Sequence, residues 1–359
     1  MHDGADQAGE RRLLGASGVE VSALGFGADG WGAKLRGYNK LFGDEDLYGA
    51  YRAALDAGID FFDTAPAYGR GKSEELLGRF RRQDGRPALI ATKYDNPPFP
   101  IPLVKSPTPK ALTLSLDASL VRLGLERVDL FQIHYPVPLR RIDEFADALA
   151  STVRSGKARA VGVSNFNASL VRAMHAALAR CGIALASNQV AFNLLDRSIE
   201  INGVLEACRE LNVALIPSVP LAVGILSGRC WRGEAPMNGV QQAYLRQSKL
   251  DPFHLRTPAT LAHTQEGRMK RALSAPPAMR NLGMLFAAMQ TIAETRGKSL
   301  PQVALNWLLT VDPLVIPIPG AKNAVQALDN AGALGWRLTP AECLSLNPSL
   351  SHAGTDGGS

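Results

Sequence analysis

The sequence predicts an α/β protein that forms a (β/α)8 TIM barrel, with an N-terminal β-hairpin and a long insertion after the seventh strand. Short, mostly apolar strands alternate with amphipathic helices, which is typical of a parallel sheet buried on both faces. Eight such units, counted from the segment ALGFG, fill most of the 359 residues, as an eight-stranded barrel requires. A doubly wound open sheet is the alternative fold for the same alternation.

The first elements are a hairpin and a helix. The opening segment RRLLGASGVEVSALGFG predicts the hairpin, because Val19 and Val21 alternate with other residues after a glycine-containing turn at 15–18. A glycine-rich stretch follows. Residues 44–57 then predict a helix, since apolar residues recur at helical spacing and Gly58 comes directly after the last turn.

Strands and helices alternate regularly after this helix. The predicted strands are GIDFFDTA, PALIATK, VDLFQIH, ARAVGVS, LASNQVA, VALIPSV and LVIPIPG. The predicted helices are KSEELLGRFRR, PKALTLSLDASLVRLGL, a segment near 143–155, SLVRAMHAALARCG, INGVLEACRELN, LGMLFAAMQTIAETRG, PQVALNWLLTV and NAVQALDNAGALG.

The domain boundaries follow from where this rhythm stops. Residues 229–284 interrupt it with prolines and polar runs, and a connection this long is usually functional, so a lid over the barrel mouth is one interpretation. We predict one barrel domain over 11–345. The tails 1–10 and 351–359 are predicted to be disordered.

Composition excludes several classes of protein. No segment is apolar over the roughly 18 residues that a membrane-spanning helix needs. The opening MHDGADQAGE resembles neither a signal peptide nor a transit peptide, so we expect a cytoplasmic protein. The plastid stroma is the alternative if a transit peptide precedes this numbering. The net charge of +6 comes from scattered Lys and Arg, which predicts a solvated basic surface rather than a nucleic-acid site.

The cysteines indicate a reduced compartment. They form no CxxC pair, so a disulfide framework or a zinc site does not fit. No HExxH motif or carboxylate-rich calcium loop is present, and we expect no metal. The four cysteines are Cys181, Cys208, Cys230 and Cys343.

The segment GFGADG matches the dinucleotide-binding pattern GxGxxG at Gly25, Gly27 and Gly30. In a Rossmann unit the third glycine must open a helix that points its N-terminus at the pyrophosphate. The following WGAKLRGYNKLFG cannot form that helix. We therefore reject the Rossmann interpretation and expect these glycines to let the first strand lie close beneath a ligand.

Titratable residues follow three successive predicted strands. Asp63 ends the second barrel strand, Lys93 the third and His134 the fourth, while Tyr68 lies on the loop after Asp63. In a barrel enzyme the carboxyl ends of the strands carry the reacting groups, so these four side chains should share one mouth. The sequence therefore predicts a catalytic site there.

The chemistry of these side chains suits carbonyl reduction without a metal. Hydride addition to a carbonyl leaves an alkoxide-like oxygen that needs a proton, and Tyr68 can donate it. The Lys93 ammonium should stabilise the tyrosinate and lower the Tyr68 pKa. Asp63 can hold Lys93 in place. His134 can donate a hydrogen bond to the carbonyl oxygen and polarise it.

Around these residues the chain resembles the aldo-keto reductases. The resemblance spans about 11–345 and rests on GIDFFDTAPAYGRGKSEELLG, the Lys93 and His134 strands, AVGVSNF, SNQVAFN and VIPIPGAKN. It implies a (β/α)8 barrel in which Asp63, Tyr68, Lys93 and His134 form the catalytic tetrad. The last two motifs and NAGALGWRLT are most similar to the plant and algal plastid branch, which includes pyridoxal reductases.

The resemblance also implies an NADPH site across the carboxyl-terminal face. Ser164, Asn165 and Gln189 would bond the nicotinamide carboxamide. A loop after the seventh strand would cover the pyrophosphate, and Lys322 would bind the adenosine 2′-phosphate, which favours NADPH over NADH. Further residues that resemble cofactor contacts are Gly27, Ser218, Leu221, Gly224, Leu226, Gly228, Gly320, Ala321, Asn323, Gln326, and the acid–amide pair Asp329 and Asn330, which would read adenine.

Two positions depart from the family pattern. Ser218 stands where relatives often have a tyrosine stacked on the nicotinamide, and Tyr135 stands where many have tryptophan. These departures change the pocket walls, so the sequence predicts a reaction type and not a substrate.

The leading hypothesis is an NADPH-dependent reductase of small aldehydes or ketones, acting as a monomer or homo-oligomer with no nucleic-acid or membrane partner. The same site could run in reverse as an alcohol or sugar dehydrogenase. A redox-sensing, NADP(H)-binding regulatory subunit is the alternative from another class of protein.

Overall fold

The computed structural model describes residues 9–95, 108–247 and 277–347. Within them, a hairpin of β1 (Arg11–Leu13) and β2 (Glu20–Ser22) precedes a seven-stranded sheet whose neighbours all pair in parallel. The seven strands, in sheet order, are β3 (Phe26–Gly27), β4 (Phe61–Asp63), β5 (Leu89–Tyr94), β6 (Val128–Ile133), β7 (Ala158–Ser164), β8 (Leu185–Ala191) and β9 (Ala214–Ser218).

The helices alternate with the strands as the sequence predicts. The helices are α1 (Asp44–Asp56), α2 (Lys72–Asp84), α3 (Pro109–Leu123), α4 (Ile142–Arg154), α5 (Ala168–Arg180), α6 (Val204–Glu210), α7 (Gly239–Gln247), α8 (Pro277–Arg296), α9 (Leu300–Val311), α10 (Ala324–Ala331) and α11 (Pro340–Ser345). From α1 to α6, and from α8 to α10, each helix packs against the next, and α10 packs on α1. Among these, no helix has the length and apolarity that crossing a membrane would require.

The predicted eighth strand, LVIPIPG, closes the barrel but is not a regular strand. The amides of Gly25 and Gly27 donate to the carbonyl oxygens of Pro317 and Pro319 at 2.8 and 3.0 Å, and Leu215 of β9 bonds to the start of the same segment. Proline has no amide hydrogen, so Pro317 and Pro319 cannot donate back to β3. On that side, hydrogen bonds therefore run only from β3 to the closing segment. The barrel prediction is confirmed, whereas the assignment of this segment as a regular strand was wrong.

Two glycines of GFGADG, Gly25 and Gly27, lie against this closing segment. A Cβ on Gly27 would lie 2.7 Å from the carbonyl oxygen of Ile318, a distance that real side chains do not adopt. After Gly30 the chain turns, and α1 begins only at Asp44. The rejection of a Rossmann unit is confirmed. Gly27 allows the close approach of two backbones, and the expectation that these glycines lie beneath a ligand stays a prediction.

The hairpin covers the amino-terminal end of the barrel. Leu14, Val19 and Val21 are buried against the inward-facing residues of the strands, such as Phe61 and Ile216. This apolar layer fills the amino-terminal half of the barrel interior.

A buried guanidinium fastens the hairpin to the rest of the chain. The Arg12 side chain donates to the carbonyl oxygens of Leu309, at 2.7 Å, and Asp312, at 3.0 Å. These carbonyls lie at the end of α9 and just beyond it. One arginine therefore satisfies backbone acceptors that α9 leaves unpaired at its C-terminus.

Part of the predicted insertion is ordered against the barrel. Its helix α7 was not predicted, and it contacts the loops after β8 and β9: Asn193 donates to the Tyr244 hydroxyl at 2.7 Å, and Gln241 donates to the Val223 carbonyl at 3.4 Å. The remainder of the predicted lid, the proline-rich loop near residue 100 and both predicted tails fall largely or wholly outside the described residues.

The close approach of α2 and α3 generates a stability prediction. A Cβ on Gly78 of α2 would lie 2.1 Å from the Leu123 carbonyl oxygen, whereas a Cβ on Gly49 of α1 would meet nothing nearer than 3.8 Å. We expect Gly78→Ala to lower the free energy of unfolding by about 1–3 kcal/mol through overpacking. Gly49→Ala should raise it by about 0.5–1 kcal/mol, because alanine is the better helix former. Urea unfolding measures both values, and effects of the same sign would contradict the packing described.

Candidate active site

Adjacent parallel strands bring the predicted acid–base residues to one end of the barrel. Asp63 is the last residue of β4, Lys93 lies near the end of β5, and His134 directly follows β6. In the sheet register Asp63 pairs with Ala91, and Lys93 pairs with Gln132. Because the three strands are parallel neighbours, their carboxyl ends open on the same mouth.

Asp63, Lys93 and Tyr68 form one connected group. The Lys93 ammonium lies 2.6 Å from Asp63 Oδ1, 3.1 Å from the Tyr68 hydroxyl and 3.1 Å from the Thr64 carbonyl oxygen. Lys93 and Asp63 are fully buried. A buried charge of this kind persists only when it is paired and hydrogen-bonded, which these three contacts achieve.

A tightly turned loop holds Tyr68 above the ammonium. Gly69 and Arg70, which follow the tyrosine, have φ values of 59° and 58°. A Cβ on Gly69 would lie 2.9 Å from the Trp31 carbonyl oxygen, so this loop packs directly on the backbone near Trp31. The position of the phenol is therefore fixed by backbone packing as well as by its contact with Lys93.

The second oxygen of Asp63 organises the polar layer inside the barrel. Gln189 Nε2 donates to Asp63 Oδ2 at 3.0 Å, and Gln132 Nε2 lies 3.4 Å from the same oxygen. Ser187 donates in turn to Gln132 at 3.1 Å. Gly162 leaves room for this network, because a Cβ there would lie 2.2 Å from the Ser187 hydroxyl oxygen. Sequence patterns did not predict Gln132 or Ser187 as part of the site.

The electrostatics correct one expectation about Tyr68. Burial raises the pKa of Tyr68 above its usual value, and the lowering by Lys93 only partly opposes it, with Asp63 adding to the rise. Burial alone would lower the pKa of Lys93, but Asp63 and Tyr68 outweigh it and raise that pKa. Lys93 acts on the Tyr68 pKa in the predicted direction, but desolvation of the phenolate, which the sequence analysis did not include, is larger and raises the pKa overall. At neutral pH the pair is a phenol and an ammonium.

His134 faces Tyr68 across the mouth. The two rings meet edge to face with centroids 6.1 Å apart, and Tyr135 stacks on the imidazole at 4.5 Å. His134 Nδ1 is hydrogen-bonded to the Asp95 carboxylate, whose other oxygen accepts the Ala67 amide. Sequence analysis missed Asp95, although its position two residues after Lys93 on an alternating strand was an available signal.

The residues predicted to hold the nicotinamide lie beside this group. The Ser164 hydroxyl donates to the Gln189 carbonyl oxygen at 2.8 Å, and Asn165 Nδ2 donates to the His134 carbonyl oxygen at 3.0 Å. Asn165 has a φ of 62°, a left-handed conformation that asparagine tolerates. Since the amide nitrogen of Gln189 is bonded to Asp63, that side chain supports the Asp63–Lys93 pair, and its contact with a cofactor stays a prediction.

The loop after β9 carries the residues predicted to cover the pyrophosphate. Val219, Ala222 and Val223 have φ values of 48°, 49° and 50°, and Gly224 has 88°. Each non-glycine residue in this conformation costs about 1 kcal/mol, so this segment is held in shape by its surroundings. Ser218 lies half-exposed at the end of β9, whereas Leu226 is buried in the core and offers only its backbone. Leu221 and Gly224 bond to each other through their backbones, and Gly228 closes the turn.

The segment after Ile318 forms a basic edge of the mouth. Lys322 Nζ lies 5.0 Å from the Phe42 ring centroid and donates to the Arg36 carbonyl oxygen at 3.3 Å. Burial and the nearby Arg36 charge lower the pKa of Lys322, with Asp29 opposing them. Arg36 was not predicted, because it belongs to the distant glycine-rich stretch and only folding brings it to Lys322.

The residues next to Lys322 that are predicted to contact the cofactor form hydrogen bonds within the chain. Asn323 caps α10 by accepting the Gln326 amide, and the Gln326 side chain accepts the Lys322 amide at 2.9 Å. Gly320 bridges to Gly27, and the Ala321 carbonyl oxygen accepts the Trp31 indole at 3.1 Å.

The acid–amide pair on α10 also has partners within the chain. The Asp329 carboxylate accepts hydrogen bonds from the Ser299 hydroxyl at 2.7 Å and from Gln302 Nε2 at 3.0 Å. Asn330 Nδ2 donates to the Gly320 carbonyl oxygen at 3.3 Å. Their predicted role in adenine recognition stays a prediction. Among the residues described, no group of three or more His, Cys, Asp or Glu side chains is arranged to hold a metal ion.

Comparison with known proteins identifies the family. Residues 23–347 match the model of the aldo/keto reductase family. The chain is 32% identical over 342 residues to the chloroplast pyridoxal reductase of Arabidopsis thaliana, covering 91% of this chain and 83% of that protein. It is 33% identical over 329 residues to the L-glyceraldehyde 3-phosphate reductase of Escherichia coli K12, covering 90% and 87%.

A solved structure supports the same conclusion. The glycerol dehydrogenase of Gluconobacter oxydans aligns with a TM-score of 0.68 and 27% identity, covering 94% of this chain and 93% of that one. The fold and the sequence define an NAD(P)-dependent oxidoreductase built on a (β/α)8 barrel. The chain belongs to the aldo/keto reductase family.

The raised Tyr68 pKa predicts a pH dependence of stability. An unfolded tyrosine releases its proton near pH 10, whereas Tyr68 in the folded chain keeps it to higher pH. The contribution of Tyr68 to the free energy of unfolding is therefore complete below about pH 10 and is lost as the pH rises further. Above that pH, the free energy of unfolding should fall more steeply for the wild type than for Tyr68→Phe, by at most about 1.4 kcal/mol per pH unit. Denaturant titrations measure this difference, and parallel curves would contradict the shift.

Proposed function

We propose that this chain is an NADPH-dependent oxidoreductase that reduces a small aldehyde or ketone to the alcohol. The observation that carries the proposal is the position of the Lys93 ammonium, 2.6 Å from Asp63 and 3.1 Å from the Tyr68 hydroxyl, at the mouth of the barrel. A phenol held against a buried ammonium is suited to giving up a proton to a developing alkoxide. The proposed unit is one barrel over 11–345, working as a monomer or homo-oligomer.

The proton chemistry is assigned to this chain's own side chains. His134, across from the phenol, orients the carbonyl oxygen of the substrate between the two rings. Tyr68 donates its proton to that oxygen, and the adjacent Lys93 stabilises the phenolate that results. Asp63 keeps Lys93 charged and fixed, and Gln189 and Gln132 keep Asp63 in place. In the reverse direction the same residues would take a proton from an alcohol.

The chain also offers a fitting site for a phosphorylated nicotinamide cofactor, which supplies the hydride when bound. Lys322 and Arg36 carry like charges and lie side by side, since Lys322 Nζ donates to the Arg36 carbonyl oxygen at 3.3 Å. Burial and this repulsion lower the Lys322 pKa, and Arg36 is also paired with Asp29 at 2.9 Å. An anion placed between them would relieve that repulsion, as the 2′-phosphate of NADPH would. NADH has no such phosphate. Ser164 and Asn165 are proposed to hold the carboxamide beside His134.

Removing the Tyr68 hydroxyl tests the proposed acid. We expect Tyr68→Phe to reduce the turnover of carbonyl substrates by about 10²–10⁴-fold, because only the proton donor is lost. The affinity for NADPH should stay unchanged. The assay follows the loss of NADPH absorbance with pyridoxal, aromatic aldehydes, methylglyoxal and sugars, and NADPH binding is measured separately by fluorescence.

Tyr48→Phe, a change of the same kind on α1 away from the mouth, is the control and should retain full activity. Equal rates for Tyr68→Phe and the wild type would remove Tyr68 as the acid. Tight NADPH binding without turnover of any carbonyl would instead favour a redox-sensing regulatory subunit.

Lys322 provides a test of cofactor choice. We expect Lys322→Met to weaken NADPH binding by about 10- to 100-fold through loss of a charge-assisted contact, with NADH affinity nearly unchanged. Lys298→Met is the matched control, because Lys298 likewise bonds a carbonyl oxygen, that of Gly332 at 3.4 Å, and lies 5.5 Å from the Trp336 ring centroid. Fluorescence titration of the wild type and of both variants with each cofactor gives six affinities. An equal loss for NADPH and NADH would contradict a 2′-phosphate contact.

A further inference from the structure

We propose that Asp95 is a positioning residue that decides which nitrogen of His134 carries the proton and ties that histidine to the Tyr68 loop. Its effect on the reaction rests on the proposed carbonyl reduction, whereas its effect on the imidazole does not. The juxtaposition that carries the proposal is one carboxylate bonded to His134 Nδ1 through one oxygen and to the Ala67 amide through the other.

Strand alternation explains why Asp95 points into the mouth. Lys93 faces the barrel interior, and the next residue, Tyr94, turns outward to stack on Phe145 of α4 with ring centroids 6.4 Å apart. Successive side chains of a strand point to opposite faces, so Asp95 returns to the side of Lys93. It extends beyond the end of β5, where it meets both His134 and the loop that carries Tyr68.

The hydrogen-bonding capacity of the carboxylate sets the tautomer of the imidazole. An ionised carboxylate only accepts hydrogen bonds, so His134 Nδ1 must donate and therefore carries a proton. In a neutral ring, Nε2 is then unprotonated and can only accept. A donor at Nε2, which polarising a carbonyl oxygen requires, exists only when the ring is doubly protonated. Asp95 stabilises that charged ring by a charge-assisted bond.

The surroundings of His134 leave Asp95 as the group that makes this choice. Among the described residues, Tyr68 approaches the ring by its edge and Tyr135 by its face, and Asn165 bonds the His134 carbonyl oxygen rather than the ring. Lys93 and Asp63 are the nearby charges, and they are paired with each other at 2.6 Å. Asp95 is therefore the charged side chain bonded to the imidazole.

The same carboxylate couples the two groups that would face the substrate oxygen. The Ala67 amide that it accepts belongs to the residue immediately before Tyr68. Fixing both the histidine ring and this amide sets the spacing between the imidazole and the phenol. Productive geometry for proton transfer depends on such spacing within a fraction of an ångström.

The decisive experiment compares the wild type with Asp95→Asn by long-range ¹H–¹⁵N NMR of the histidine-labelled full chain. The Ala67 amide can only donate, so it should bond to the side-chain oxygen of the introduced asparagine. The NH₂ group of that asparagine then faces His134 Nδ1. We expect the neutral imidazole of the wild type to be protonated at Nδ1 and that of Asp95→Asn at Nε2. His134→Gln identifies the signals among the six histidines.

Asp129→Asn is the matched control. Asp129, at the start of β6, also accepts a backbone amide, that of Ile90 at 2.8 Å, and it pairs with a cation, Arg159 at 2.9 Å. The Asp129→Asn substitution should leave the His134 tautomer unchanged. An Nε2-protonated neutral ring in the wild type, or the same tautomer in the wild type and Asp95→Asn, would overturn the proposal.

Kinetics then separate positioning from mere support of the fold. We expect Asp95→Asn to lower kcat for reduction by about 10- to 100-fold, because a neutral donor replaces a charged one, with KM for NADPH within about twofold. An unchanged kcat in Asp95→Asn would contradict the proposal. If the wild type reduces no carbonyl, the proposed function fails while the NMR result still decides the role of Asp95.

Discussion

The ion pair between Asp63 and Lys93 is the interaction on which the mouth of this barrel depends. Both groups are buried, and they lie 2.6 Å apart. Removing either partner would leave an uncompensated charge in the protein interior, which costs about 3–5 kcal/mol. Gln189 holds the second Asp63 oxygen, and Tyr68 completes the shell of Lys93. The two charges are stabilised because β4, β5 and β8 contribute polar atoms at the same height along the barrel.

This group of buried polar side chains is held in place because the apolar cluster inside the barrel is tightly packed. The hairpin covers the amino-terminal end with Leu14, Val19 and Val21, which belong to the apolar cluster inside the barrel. Glycines occur where backbones or side chains approach closely: Gly27 against the proline-containing closing segment and Gly162 against Ser187. The shape of the site is therefore maintained by packing that lies outside it.

The alternation of apolar strands and amphipathic helices was sufficient to predict the barrel and to place Asp63, Lys93 and His134 at strand ends. It was insufficient for the closing segment, where Pro317 and Pro319 interrupt the ladder although the apolar pattern continues. Helix α7 was missed because its polar surroundings hide its periodicity. The sequence indicated that Lys93 lowers the Tyr68 pKa, but it could not indicate that burial outweighs this effect and raises the pKa overall.

The sequence by itself determined the fold class, the positions of the acid–base residues along the chain and the family to which the chain belongs. These follow from local periodicity and from motifs that are contiguous in sequence. Only the tertiary structure decided that Gln132 and Ser187 support Asp63, that Arg36 lies beside Lys322 and that Asp95 bonds both His134 and the loop before Tyr68. Such contacts join residues distant in sequence, and the packing of the closed barrel, not local pattern, brings them within hydrogen-bonding distance.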